Sequence, residues 1–473
     1  MNGMNPPYGF LADRYELAMA WAYWRDGRAR EPVVFDYFFR KLPCESGYAL
    51  AAGFPVLAEL LEEFAYDDGQ LARLEQDGFA ADFLEALRTF RFQGSVQAMV
   101  EGEVVFPLEP VLRVEGGLME AQLVETLVLN VLNFQTLIAT KAARCRQAAG
   151  GRGLSEFGLR RAQGMGGHWA SRAACVGGFD TTSNLAAALA FGLRASGTMA
   201  HSYIQSYPSE LAAFRRYAAV HGSNTILLLD TYDTLASGLP NALQVAGELK
   251  ARGESLAGVR LDSGDLAYLA RRVRSELDAA GFNEVRIVAS NQLDEHVIRS
   301  LVSQEAPIDL FGLGTSIAVG QPDGALDGIY KLAQVGETPC LKLSENPAKT
   351  SLPGRKQVTR YRDEDGRFVA DAIHTADESE MRRMIHPFAP AKQLDLTHLT
   401  GETLLHPLME KGRRVLPAVS ISKSADHARR RLRHLPDEHR RFENPHVYKV
   451  GLSEKLHALR EKLITQYRNR LQR

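Results

Sequence analysis

One histidine in this chain stands in a setting that chemistry can use. In Gly197-Thr198-Met199-Ala200-His201-Ser202, His201 has a hydroxyl three residues before it and another directly after it. A strand-like approach, Arg194-Ala195-Ser196, leads in, and a helix is expected to begin near Ser206 or Ser209. Helix N-termini attract anions, and a neutral imidazole is a competent nucleophile or base near pH 7. The same six residues also suit a structural histidine bonded in a turn.

Polar residues of matching kinds recur at the ends of short apolar runs. Arg160 and Arg161 follow one such run, and Asp180 with Thr181-Thr182-Ser183-Asn184 follows another. Asp230 ends Ile226-Leu227-Leu228-Leu229, and Arg260 stands just before Asp262-Ser263-Gly264-Asp265. Gly312-Leu313-Gly314-Thr315-Ser316 is a glycine-flanked turn whose N–H groups and hydroxyls can converge on phosphate. Asp230 and Asp262 can bond ribose hydroxyls, orient an imidazole or hold Mg2+ through water, or can simply cap helices. Arginine suits carboxylate or phosphate. Taken together the set suits a phosphorylated sugar and a small anion.

These residues need a frame that brings strand ends together. Asp230, Asp262, Asn291 and Thr315 are 32, 29 and 24 residues apart, the length of a βα unit. The apolar runs are short, as in a parallel sheet buried on both faces, and helix-length segments alternate with them. An α/β barrel and a doubly wound open sheet share this periodicity, and both bind ligands at the carboxyl ends of their strands. Before the repeat lies an α+β layer over 1–128, followed by a helix from about 118 to 148. The α/β block spans 129–359, and 360–473 forms a C-terminal segment expected to complete the N-terminal domain and to end in a basic helix, Ser453 to Arg473.

Composition narrows the partners. The 473 residues are 45% hydrophobic and 24% charged, with a formal net charge of −1, so no global field recruits nucleic acid or membrane. The arginine run at 429–431 reads as a solvated helix face. The four cysteines, Cys44, Cys145, Cys175 and Cys340, are far apart with no CxxC pair. That argues against a zinc site and suits reduced thiols in the cytoplasm. The most apolar stretch, Leu123 to Ala139, carries Glu125, Asn130, Asn133 and Gln135 and reads as a core helix.

The chain resembles the nicotinate phosphoribosyltransferases of the type II phosphoribosyltransferase superfamily. Ordered segments carry the resemblance: Leu11-Ala12-Asp13-Arg14-Tyr15-Glu16-Leu17, Asn133-Phe134-Gln135-Thr136, Glu156-Phe157-Gly158-Leu159-Arg160-Arg161 and Gly178-Phe179-Asp180-Thr181-Thr182-Ser183-Asn184. They continue through the His201 stretch, Asp230-Thr231-Tyr232-Asp233-Thr234, Val259 to Leu266, Ser290-Asn291, Gly314-Thr315-Ser316 and Lys342-Leu343-Ser344-Glu345, and weaken beyond about 360. The resemblance implies an irregular TIM-like α/β barrel with an additional α/β (α+β) domain, in a homodimer with shared sites. It implies transfer of phosphoribose from phosphoribosyl pyrophosphate to nicotinate in NAD salvage, with Mg2+ on the substrate phosphates and ATP as co-substrate. His201 then matches the phosphorylated histidine, with Asp230 as the carboxylate orienting it. Tyr15, reaching from the other subunit, Thr198 and Arg260 match nicotinate contacts. Thr315, beside Gly314, matches a phosphate contact, and Arg160, Asp180, Ser202 and Asp262 match further site positions.

The residue types fit that chemistry. Departure of pyrophosphate builds positive charge at the ribose C1 and negative charge on the leaving oxygens, so catalysis is mostly positioning and electrostatics. The ring nitrogen is already a nucleophile and needs no general base. Two rivals share the scaffold: a nicotinamide-specific transferase and a non-catalytic nucleotide sensor.

Overall fold

A computed structural model describes residues 8–344, 350–415, 417 and 419–471. Glu345 and Arg473, which enter the sequence reading, lie outside the described residues. The chain divides into two compact units. The first comprises residues 1–137, 325–419 and 426–473, and the second comprises 138–324 and 420–425. Residues 325–359, placed with the α/β block by the sequence reading, therefore belong to the first unit.

The first unit holds two large sheets. One has seven strands, ordered 338–339, 328–335, 32–39, 112–117, 95–98, 406–410 and 413–414, all antiparallel. Pro32–Phe39 is buried along almost its whole length and reads accordingly as a β-branched and aromatic run after Pro32, interrupted at Asp36, which is buried against Lys356 at 2.7 Å. The other sheet has six strands, ordered 393–395, 383–385, 450–453, 368–375, 356–362 and 400–403. On its strand 356–362 Arg360, fully buried, bonds Asp371 at 2.9 Å and pairs with Glu103 at 2.5 Å. Arg431, from the arginine run, is also buried, against Glu103 at 2.7 Å and Glu402 at 2.8 Å. One member of the run is thus an internal ion-pair partner.

The expected helix from 118 to 148 is two helices, Leu118–Leu123 and Glu125–Ala149, broken at Val124. In the second unit, the later helix's Lys141 and Arg144 are buried against Glu295, with Arg144 Nε donating at 3.1 Å. A buried carboxylate is tolerated when paired in this way.

The second unit is built on one parallel sheet. Its strands are β1 (Gly153–Glu156), β2 (Thr181–Thr182), β3 (Ile226–Leu228), β4 (Gly258–Leu261), β5 (Arg286–Ser290) and β6 (Leu310–Leu313). They lie side by side in the order β2-β1-β6-β5-β4-β3, every pairing parallel. The helices α1 (Gly166–Val176), α2 (Leu185–Phe191), α3 (His201–Gln205), α4 (Glu210–His221), α5 (Leu239–Ala251), α6 (Leu266–Ala279), α7 (Glu295–Ser303) and α8 (Thr315–Ala318) fill the connections. Because the strands are parallel, all their carboxyl ends lie on one rim. The strands are shorter than the apolar runs suggested, so Asp230 and Asp262 stand beyond β3 and β4, in the loops.

Candidate active site

The rim is assembled from local features of the second unit. β1 stops at Glu156, and Leu159–Arg161 is a 3-10 turn. Glu156 is buried and accepts from Ser171 at 2.7 Å, from Thr182 at 2.6 Å and from the Gly158 amide. It fixes the turn that sends the Phe157 side chain across β6. A Cβ on Gly312 would lie 2.4 Å from the Phe157 ring, so only glycine leaves that ring its place. The Arg260 guanidinium sits 5.8 Å from the centre of the same ring, a cation–π distance.

Arg260 is the hub. Its side chain is 14% exposed. Nε donates to Ser290 Oγ at 2.9 Å, Nη1 to Thr198 Oγ1 at 3.1 Å, and Nη2 to Asp262 Oδ1 at 2.9 Å. Thr198 is held in reach by its own segment: Ser196 Oγ, Ser155 Oγ and Thr181 Oγ1 form a triangle of contacts 2.7–2.8 Å long.

His201 is the first residue of α3, so the helix begins at the histidine and not at Ser206; Ser209 caps α4 as expected. Its Nδ1 lies 3.2 Å from Thr231 Oγ1, and its Nε2 lies 3.7 Å from Asp262 Oδ2. The carboxylate beside the imidazole is therefore Asp262. Asp230, expected in that place, takes a hydrogen bond from Ser263, and its Oδ1 is buried without a protein partner. Tyr203 stands on the same helix; burial, with Tyr207 adding to it, pushes its phenol up to about 12, which keeps it a neutral donor.

Other expected site residues fall in different places. Arg160 and Ser202 are exposed, in the 3-10 turn and on α3. Thr315 opens α8 directly after Gly314, on the rim. Asp180 is turned away from the rim. It precedes β2, pairs with Arg146 at 2.6 Å and accepts from the Leu154 amide at 2.8 Å. Arg146 also donates to the Arg152 carbonyl at 2.5 Å, at the opening of β1. This assembly closes the amino end of the sheet, opposite the rim. Tyr15 belongs to the first unit, on the helix Arg14–Arg25, with 46% of its surface exposed.

Ser290, Thr231, Phe157 and Ser263 are rim residues that the reading of site roles passed over. Each lies in a segment that carried the resemblance, so the positions were visible but the contacts were not. A further local signal follows Ser290: Asn291 and Gln292 are consecutive non-glycine residues with φ of 89° and 45°, a costly backbone that concentrates at functional sites.

Such a rim defines an α/β protein with its ligand site at the carboxyl ends of parallel strands, equipped for an anion. Comparison with known proteins gives the family. The model of the nicotinate phosphoribosyltransferase N-terminal domain matches residues 10–133, that of the family 153–371 and that of the C-terminal domain 355–460. A nicotinate phosphoribosyltransferase of Bacillus subtilis is 41% identical over 97% of this chain and 96% of its own length. Human nicotinic acid phosphoribosyltransferase, in its crystal structure, superposes with a TM-score of 0.86 at 33% identity, over 95% of this chain and 99% of that one. Nicotinate-nucleotide pyrophosphorylase from Pyrococcus furiosus superposes at 0.72, with 26% identity over 92% and 98%. The chain belongs to the nicotinate phosphoribosyltransferase family. No helix among the described residues is long and apolar enough to cross a membrane.

Proposed function

We propose that this protein transfers phosphoribose from phosphoribosyl pyrophosphate to the ring nitrogen of nicotinate, releasing pyrophosphate, with ATP hydrolysis coupled through phosphorylation of His201. The observation that carries the reading is the Arg260–Thr198 pair: a fixed guanidinium and a hydroxyl on the rim of a family member, suited to a ring carboxylate. A neutral carboxamide would offer that guanidinium no charge, which disfavours the nicotinamide reading.

In this reading Phe157, Arg260 and Thr198 hold the ring, and Thr315 and Arg160 receive phosphate. His201 accepts the phosphoryl group on one nitrogen while the other is held. Cleavage of the resulting phosphoramidate drives the transfer forward. Mg2+ supplies charge neutralisation on the substrate phosphates, and magnesium is usually held by one or two carboxylates together with substrate oxygens. Asp230 and Asp262 would face it, and the unpartnered Asp230 Oδ1 fits that demand.

The strand order also supports a TIM-like barrel, because β6 returns to pair with β1 while β3 to β6 follow one another in sequence. A doubly wound sheet reverses its order at that point. Tyr15 would enter the site from the partner chain of a homodimer, and sedimentation at working concentration checks the assembly.

The deciding experiment incubates purified protein with phosphoribosyl pyrophosphate, Mg2+ and either nicotinate or nicotinamide, with and without ATP, and identifies the products. Nicotinate mononucleotide, formed faster with ATP, is expected. Binding without turnover would mark a sensor instead.

A further inference from the structure

Ser290 is buried, 3% exposed, at the carboxyl end of β5. Its Oγ touches both Arg260 Nε, at 2.9 Å, and Asp262 Oδ1. Chemistry fixes the direction of each bond. A guanidinium only donates and a carboxylate only accepts, so the hydroxyl accepts from Arg260 and gives its single proton to Asp262. Arg260 Nη2 reaches the same Oδ1 at 2.9 Å. Three hydrogen bonds thus close a ring through Arg260, Ser290 and Asp262.

The ring leaves two groups pointing out of it. One is Arg260 Nη1, 3.1 Å from Thr198 Oγ1. The other is Asp262 Oδ2, 3.7 Å from His201 Nε2. We propose that Ser290 is a positioning residue that couples the two halves of the reaction, holding the guanidinium that receives the nicotinate carboxylate and the carboxylate beside the phosphoryl-accepting histidine in one fixed orientation. The inference rests on the function proposed above for Arg260 and His201. Without the hydroxyl, Nε loses the acceptor it has at 2.9 Å. The terminal torsion of an aspartate is broad and roughly two-fold, so Asp262 would also lose the contact that assigns one oxygen to Arg260 and the other to His201.

The test uses full-length protein carrying Ser290→Ala, Ser290→Thr or no change. It reads nicotinate KM and kcat together with the rate at which γ-labelled ATP gives an acid-labile label on the protein. Ser290→Ala should raise nicotinate KM about tenfold and slow labelling about tenfold, the scale of one hydrogen bond to a charged group. Ser290→Thr, which keeps the hydroxyl, should return both to within about twofold. In an Arg260→Ala background, Ser290→Ala should no longer move KM but should still slow labelling, since that effect passes through Asp262. If Ser290→Ala does not fold, Ser290→Cys, a weak donor and acceptor, supplies the same readouts. Unchanged KM and labelling, or a fall in Tm alone, overturns the coupling. A wild-type protein that makes no nicotinate mononucleotide or takes no label on His201 overturns the functional reading first, and the coupling with it.

Discussion

Asp262 turns Oδ2 towards Nε2 of His201 at 3.7 Å while Arg260 holds its other oxygen at 2.9 Å. A unit charge about 4 Å away is worth about 1 kcal/mol in water and about 4 kcal/mol near a protein surface. Asp262→Asn keeps the shape and removes that charge. Labelling of His201 by ATP should slow by about tenfold or more, and Asp230→Asn should slow it less. The reverse ranking would return the orienting role to Asp230.

Arg260→Ala removes a charge-assisted bond to the ring carboxylate, typically about 1.5–3 kcal/mol. Nicotinate KM should rise about tenfold to a hundredfold, and discrimination against nicotinamide should shrink in step. Competition between the two rings measures it. Equal use of both by the wild type would remove the reason for assigning Arg260 that role.

Asp180 stands at the amino end of the sheet, tied to Arg146 and the Leu154 amide. Asp180→Ala should therefore act on stability, by about 1 kcal/mol, and lower Tm by about 2–4 °C for a unit of this size. Nicotinate KM and the affinity for phosphoribosyl pyrophosphate should not move. A KM change at unaltered Tm would place Asp180 in substrate binding after all.

The periodicity from Asp230 to Thr315 made the parallel strands and their shared rim legible, because βα spacing and buried-strand composition are local signals. The strand order was not legible, since either α/β architecture would give the same spacing. Partner choice among the aspartates was hidden for a similar reason: Asp230 and Asp262 both follow strands, and the contacts that separate them, Ser263 on Asp230 and Arg260 on Asp262, are not local signals. Asp180 misled because its motif is polar and glycine-rich like a rim segment, yet it comes before its strand. The arginine run at 429–431 read as a solvated face, yet Arg431 is buried in one network with Glu103, Arg360 and Asp371, and a run of like charge carries no mark of what it pairs with.

That network sets a stability prediction. Arg360 lies between Glu103 and Asp371, and Tyr448 donates to Asp371 at 3.0 Å. Burial would push the Glu103 carboxyl up, but the Arg360 guanidinium, His427 and Arg431 overcome it and hold it at about 2. Burial, with the Asp371 charge adding to it, pushes the Glu109 carboxyl well above the usual carboxylate range. Arg360→Met takes away the cation paired with Asp371 and leaves Glu103 with Arg431 and His427, and breaking a buried pair in this way costs about 3–5 kcal/mol. Urea unfolding should show that loss. A change below about 1 kcal/mol, the value of a surface pair, would show that the remaining cations suffice.

The last prediction concerns pH and the helix that carries Tyr15. Its neighbour Glu16 is buried, accepts from the Thr126 amide at 3.0 Å and from the Thr126 hydroxyl, and leaves Oε2 without a partner. Burial pushes its carboxyl up; the bonds from Thr126 oppose this, the Glu125 charge adds to it, and the group settles at about 7. In the unfolded chain it titrates near 4.5. The folded state therefore holds the proton more tightly. The resulting stabilisation is fully present below about pH 4.5 and is lost as the pH rises through 7. Between pH 5 and 8 the Tm of the wild type should fall, and Glu16→Gln, which cannot lose a proton, should flatten that slope. Tyr15 keeps its proton throughout, since burial and Glu125 raise it, so the slope does not come from that phenol. Parallel Tm slopes in the two proteins would assign the pH dependence to another group.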